Sequence, residues 1–198
     1  MADKTKIFIS GVGGQGSITT TLIIGEAAAK AGLNVVASEI HGMAQRGGIV
    51  QTTVLIGDLH GAMIPDGGAD ILIAFEPAEA VRFLKKASKD RTTLIMNEHP
   101  IVPIWVSLGR EAYPALKDIQ SLVAEGMKQV HSFDGVAIAS EAGTSKALGA
   151  VMLGALAGLD RLPISKEIWL SALMDRVPSR FKDANQVAFD RGFAQTQG

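Results

Sequence analysis

Gly11-Val12-Gly13-Gly14-Gln15-Gly16 constrains this chain more than any other stretch, because of what stands on either side of it. Before it lies Ile7-Phe8-Ile9-Ser10, a short apolar run ended by glycines, which reads as a buried strand. After it, Gly16 to Ala31 is rich in Ala, Ile and Leu and reads as a helix, with Gly32 as its C-terminal cap. Val35-Val36-Ala37-Ser38 is the next strand and completes a β–α–β unit. The six residues satisfy G-x-G-x-x-G in the strand–turn–helix context that phosphate binding requires. Glycines permit a tight turn, and the helix start offers N–H groups and partial positive charge to an anion. Close packing alone would also use such a turn, so both readings stand at this level. Ser17 occupies the place of the Walker lysine, which excludes a nucleotide-hydrolysing P-loop.

The rest of the chain continues the alternation. Ile49 to Ile56, Asp70 to Phe75, Thr92 to Asn97 and Gln129 to Phe133 read as strands, and Pro77 to Lys86 as a helix. Asp58 to Pro65 suggests a return turn with a short edge strand, and Val102 to Leu108 an extended segment. Pro114 suits the first position of a helix whose stripe is Leu116, Ile119, Leu122, Val123 and Met127. From Gly135 the pattern is helical, with Ser165 as an N-cap and Ile164 and Trp169 as a hydrophobic staple. The expected fold is α/β: a doubly wound, mostly parallel, Rossmann-like sheet with helices on both faces and a helical C-terminal third. At 198 residues, with no linker or repeat, a single domain over 1–198 is expected.

Composition narrows the function classes. A net charge of −1 argues against nucleic acid or an anionic membrane as a whole-chain partner. With no cysteine, the chain alone cannot carry a disulfide, a thiol nucleophile or an iron–sulfur cluster on thiolates. No His-Glu-x-x-His and no histidine pair at helical spacing occur, so no metal site is expected. No Ser–His–Asp arrangement can be argued from spacing, and no catalytic residue is assigned. The longest apolar run, Ala147 to Leu159, is too short to span a bilayer, and the N-terminus lacks a signal-peptide layout, so a cytoplasmic protein is expected. Charged residues are only 20%, against roughly 25% in an average domain. That points to apolar surface buried against another subunit, or to a large core.

A second constellation lies at His41-Gly42-Met43-Ala44-Gln45-Arg46-Gly47-Gly48. Arg46, followed by two glycines, could grip a phosphate or carboxylate as a fork, and His41 could donate to an anion. A turn in which Arg46 pairs with Glu39 or Glu76 explains it as well. Glu39, at the end of the second strand, falls where a dinucleotide site places its ribose-binding carboxylate.

Together the two motifs resemble the gamma-type subunit of 2-oxoacid:ferredoxin oxidoreductases, in particular the indolepyruvate branch of that family. The likeness continues through Asn97, Leu153-Gly154, Asn185, Ala188-Phe189 and Gly192, and so covers nearly the whole chain. Gly149 departs from it, standing where the late Asn-x-x-x-Leu-Gly pattern has Asn. No residue identifies an arylpyruvate as substrate.

The resemblance implies a subunit of a complex that oxidatively decarboxylates a 2-oxoacid to an acyl-CoA and reduces ferredoxin. The chain would not act alone. Thiamine diphosphate and iron–sulfur clusters would belong to a catalytic partner subunit, and this chain would close the active site and help hold coenzyme A. The expected cofactor-binding residues are Gly11, Gly13, Gly14, Gln15, Gly16, Ser17, His41, Gln45, Arg46, Gly47 and Gly48. Two other readings compete: an independent NAD(P)-linked oxidoreductase using the same loop with Glu39, and a structural subunit whose loop is empty.

Overall fold

The computed structural model describes residues 4–41, 47–58 and 61–197, with His41 described by its backbone only. Its six strands are β1 (Thr5–Val12), β2 (Val35–His41), β3 (Ile49–Ile56), β4 (Ile71–Ala74), β5 (Thr93–Asn97) and β6 (Gln129–Phe133). They form one sheet in the order β2-β3-β1-β4-β5-β6. β1, β4, β5 and β6 pair in parallel, while β3 runs antiparallel to both β1 and β2. The mostly parallel sheet matches the expectation from the alternating pattern.

The place of β3 does not follow the simple β–α–β reading. An antiparallel partner needs only a short connection, whereas a parallel one needs a crossover. β3 therefore turns back along the free edge of β1, with Val12 opposite Ile49, and β2 sits one strand further out. Helix α1 (Ser17–Lys30) crosses over β3 to reach it. The helix stops where expected: Gly32 has φ 73°, and Leu33 N–H reaches back to Ala28 O at 2.9 Å.

Side chains alternate across the strands and so build two cores. On one face, Ile7, Ile9, Ile71, Ile73 and Ile95 meet α1, α5 (Gly135–Glu141), α6 (Leu148–Gly158), α7 (Lys166–Arg176) and α8 (Lys182–Ala194). On the other, Phe8, Leu72, Leu94 and Met96 meet α2 (Pro77–Arg82) and α4 (Leu116–Gly126). β4 and β5 are covered on both sides, which is why they read as unbroken apolar runs. α6 is the inner helix of the first face. Its Gly154 and Gly158 lie against the backbone of α8, and Gly192 of α8 lies against the backbone of α6.

Three local readings change. Ile104–Ser107 is a short helix, α3, started after Pro103, in place of the extended segment expected over 102–108. Residues 61–65 hold no strand. Pro114 precedes α4 by two residues, with Ala115 as its N-cap. The Ser165 cap of α7 is present, its hydroxyl accepting from Ile168 N–H at 3.4 Å, with Ile164 and Trp169 buried beside it.

Candidate functional site

The glycine loop leaves β1 at the point where the fold changes sides. α1 departs to one face of the sheet and α2, following the neighbouring β4, to the other. Ligands of open α/β sheets bind in the crevice outside the strand ends at such a switch point.

Each loop glycine has its own reason. A Cβ on Gly11 would come 2.9 Å from Phe75 Cβ, so only glycine lets β1 pass the end of β4. Gly14 and Gly16 have φ 104° and 86°, in the region that favours glycine. Gly13 donates to Gly48 O at 2.8 Å and accepts from Gly47 N–H at 3.4 Å, which extends the β1–β3 pairing into the loop. The two motifs separated by about thirty residues of sequence are thus joined by their backbones.

Gln15 works within the chain. Its Oε1 accepts from Val12 N–H at 2.8 Å and its Nε2 donates to Phe75 O at 2.7 Å. Its side chain ties the loop to the end of β4 and positions the turn. Its own N–H bonds Val12 O at 3.2 Å. The N–H groups of Gly14, Gly16 and Ser17 find no acceptor among the described residues, and no side chain caps α1. Three free donors at the start of a fourteen-residue helix make an electropositive corner. The Ser17 side chain is buried. Gln45, Arg46 and the His41 side chain lie outside the described residues.

The next strand end continues this network. Asn97 is fully buried at the end of β5. Its Nδ2 donates to the same Phe75 O at 2.8 Å, and its Oδ1 accepts from Gly135 N–H at 2.9 Å and His99 N–H at 3.3 Å. One carbonyl therefore receives both amides, and β1, β4, β5 and the start of α5 are tied along one edge.

A crevice of about 510 Å³ opens above this edge, lined in part by Gly14, Gly16, His99, Ser145 and Lys146. No acidic residue is among its described lining. Lys146 forms no ion pair with a described residue. It comes from the turn before α6, and no sequence pattern singles it out. His99 is held by Asn97, a link legible only in three dimensions.

Glu76 caps α2, accepting from Glu79 N–H at 3.0 Å. It also accepts from the Tyr113 hydroxyl and from Ile101 N–H, so the chain on either side of α3 is fastened near the end of β4. Burial, then the adjoining Glu76 carboxylate, pushes the Tyr113 hydroxyl well above its ordinary value. Burial likewise raises Glu79, only partly offset by its bond to Arg82. A carboxyl that holds its proton more tightly folded than unfolded adds stability below its ordinary value of 4.5 and loses it as pH rises through the raised value. Glu79→Gln is therefore expected to melt higher than the wild-type chain at pH 7, with the difference shrinking towards pH 4. Calorimetry across that range checks it, and a gain that grows on acidification contradicts the assignment.

β3 has a consequence for the dehydrogenase reading. Glu39 pairs with Thr52, which in turn pairs with Ile9, so a whole strand separates it from β1. Two strand spacings, roughly 9.6 Å, stand where a dinucleotide fold has one.

Among the described residues, the switch-point crevice of this α/β domain has three N–H donors without an acceptor, a lysine without an ion pair and no acidic lining residue. Residues 6–195 match the family model described as pyruvate ferredoxin/flavodoxin oxidoreductase, and the chain belongs to that family. Within it, the chain is an oxidoreductase subunit of the gamma type. It is 47% identical to the indolepyruvate oxidoreductase subunit IorB of Methanothermobacter thermautotrophicus, over 94% of this chain and 95% of that one. Among solved structures it is similar to the gamma subunit of a keto/oxoacid ferredoxin oxidoreductase from Geobacter sulfurreducens, with a TM-score of 0.71, 26% identity, and 97% and 98% of the two chains covered. It also matches part of 2-oxoglutarate:ferredoxin oxidoreductase from Magnetococcus marinus, a structure with 2-oxoglutarate, coenzyme A and succinyl-CoA bound. There the TM-score is 0.74 at 22% identity, over all of this chain and 32% of that longer one. That last likeness bears on the fold.

Among the described residues no helix is long and apolar enough to cross a membrane.

Proposed function

We propose that this chain, one gamma-type domain over residues 1–198, is the subunit of an indolepyruvate-type 2-oxoacid:ferredoxin oxidoreductase that holds coenzyme A at the glycine loop and closes the active site. The observation that carries this reading is the 47% identity to an indolepyruvate oxidoreductase subunit along nearly the full length of both chains. Thiamine diphosphate and iron–sulfur clusters would lie in the catalytic partner and supply the decarboxylation and electron transfer to ferredoxin. This chain's residues would bind, orient and exclude water. Gly14, Gly16 and Ser17 would give N–H groups to a phosphate of coenzyme A. Gly11, Gly13, Gln15, Gly47 and Gly48 would hold the loop in shape. Arg46, with His41 and Gln45 beside it in sequence, would add charge and polar contacts. A cytoplasmic complex fits this chemistry.

The test is capture of the tagged chain under anaerobic conditions from the cells that make it. A cluster-bearing partner that reduces a dye with an arylpyruvate, and only with coenzyme A present, is the expected result. A lone chain that binds NAD(H) would overturn it.

One observation favours a second reading, in which the loop only packs: the Gln15 amide and Gly13 N–H are already spent inside the chain. Arg46→Ala separates the two. On the coenzyme A reading it raises KM for coenzyme A in the assembled complex about tenfold, in line with about 1.5–3 kcal/mol for a hydrogen bond to a charged group. Unchanged kinetics would favour packing.

A further inference from the structure

β2 is an edge of the sheet. Among the described residues it pairs with β3 on one side and with no strand on the other. Edge strands commonly carry a device that stops a further strand from adding, such as a lysine, a proline, a bulge or a very short length. β2 has none of these. Val35-Val36-Ala37-Ser38-Glu39-Ile40-His41 pairs with β3 without a break over 7 residues, and its sequence holds one acid and no lysine, arginine or proline.

The sheet face beside this edge is open as well. Val36, Ser38 and Ile40 lie on the same side as Phe8, because Ser38 pairs with Thr53 and Thr53 with Phe8. On that side α2 and α4 pack over β1, β4, β5 and β6. Val36 and Ile40 stay 38% and 62% exposed, and Met63, 84% exposed, borders the same small depression as Ile40. Three large apolar side chains therefore stand beside an open row of backbone N–H and C=O groups.

We propose that β2 pairs with β2 of a second copy of this chain, antiparallel and centred on Ser38, so that two sheets join edge to edge. The side chains select the register. A two-fold axis normal to the sheet keeps like faces together, so it must pass at a residue rather than between two. Centred on Ser38, Val36 of each copy stands opposite Ile40 of the other, and Glu39 stands opposite Ala37. Two apolar pairs then form on the open face, and no charge meets its own sign. Centred on Glu39, the two carboxylates would oppose each other. Centred on Ala37, Val36 would face Ser38 and Val35 would face Glu39. The strand is thus complementary to itself in one register, which is what a contact between identical surfaces requires. The pairing does not rest on coenzyme A binding at the glycine loop, and its failure would leave that reading as it stands.

The lack of cysteine makes the test direct. Ser38→Cys gives the chain a single thiol, and the axis sets two such thiols opposite each other. Opposed residues of an antiparallel pair have Cα atoms about 4.5–5.5 Å apart, within the span of a disulfide. Mild oxidation of the full chain, and of its assembled complex, is expected to link two copies through residue 38, seen as a species of twice the chain mass that a reductant reverses. Lys117→Cys, exposed on α4, is the control and should stay unlinked. No link between copies, a link from residue 38 to a different subunit, or equal linking by both variants overturns the proposal. As a second measurement, Ile40→Lys sets an ammonium against Val36 of the second copy. It is expected to weaken the dimer of the full chain about tenfold in sedimentation while leaving the circular dichroism spectrum unchanged. A wild-type chain that sediments only as a monomer, or an Ile40→Lys dimer of undiminished affinity, also overturns it.

Discussion

Gly192→Ala is expected to lower the melting temperature of this protein by roughly 6–12 °C, although it adds one methyl group. The new Cβ would lie 2.0 Å from Val151 O, a backbone atom in the middle of α6. Gly154 and Gly158 are placed in the same way, 2.1 Å from Phe189 O and 2.3 Å from Phe193 O. α6 and α8 are therefore in backbone contact along their length, and neither can yield alone. α6 is pressed by the sheet beneath it, and α8 buries Ala188 and Phe189 against it. Overpacking a core costs typically 1–3 kcal/mol and more when backbone must move. About 3 kcal/mol, at roughly 2–4 °C per kcal/mol for a chain of this size, gives the stated range. Gly25→Ala is the matched control. Gly25 is also helical, but nothing lies within 4 Å of its added Cβ, and alanine there should raise the melting temperature by roughly 1–4 °C. Calorimetry on the two variants decides it. Equal shifts would mean that α6 and α8 are not in close contact.

The same contrast shows what a sequence carries and what it does not. Gly11 to Gly16 can be read as a turn because strand and helix patterns flank it and glycine has few other reasons to cluster there. Gly32 can be read as a cap for a similar local reason. Gly192 and Gly154 sit inside helical patterns, where their role is set by a helix some forty residues away. Periodicity identified β3 as a strand but not its place, because the alternation of side chains says which residues face a core and nothing about which strand lies alongside. That is how Glu39 could look adjacent to the loop and prove a strand removed. Ile104–Ser107 read as extended because four apolar residues after a proline carry no period long enough to decide. The low charge content has two sources: a double-faced core, and exposed Ile104, Trp105 and Leu108 on one short stretch. At the site, the backbone of the loop and the charge of its helix start are legible, and the approach of Lys146 is not. Lys146 reaches the loop only because α5, α6 and the turn between them fold over the helix start.

Asn97→Leu is the substitution in which stability and site geometry should fall together. Leucine matches asparagine in heavy-atom count and branching, is somewhat bulkier, and offers no polar atom. Gly135 N–H, buried at the start of α5, loses its acceptor, and His99 N–H loses its anchor. Leaving a buried donor unsatisfied costs about 1–3 kcal/mol, and the lost bond to Phe75 O adds about 1 more. A drop of roughly 4–16 °C in melting temperature follows at this chain length. The functional effect should be larger than the stability effect suggests. Phe75 O would be held by Gln15 alone, so the end of β4 could shift against the loop that passes it at Gly11. KM for coenzyme A should rise in the complex while the rate at saturating coenzyme A changes little. Because Gln15 and Asn97 donate to the same carbonyl, Gln15→Leu and Asn97→Leu should not be additive. Their coupling should fall at about 0.5–3 kcal/mol. Additive melting shifts, or an unchanged KM in a variant that folds, would show that the shared carbonyl does not hold the site. Observed coupling would make Phe75 O the point through which the first strand of the sheet and the third parallel strand jointly set the loop, with neither amide required to touch a ligand.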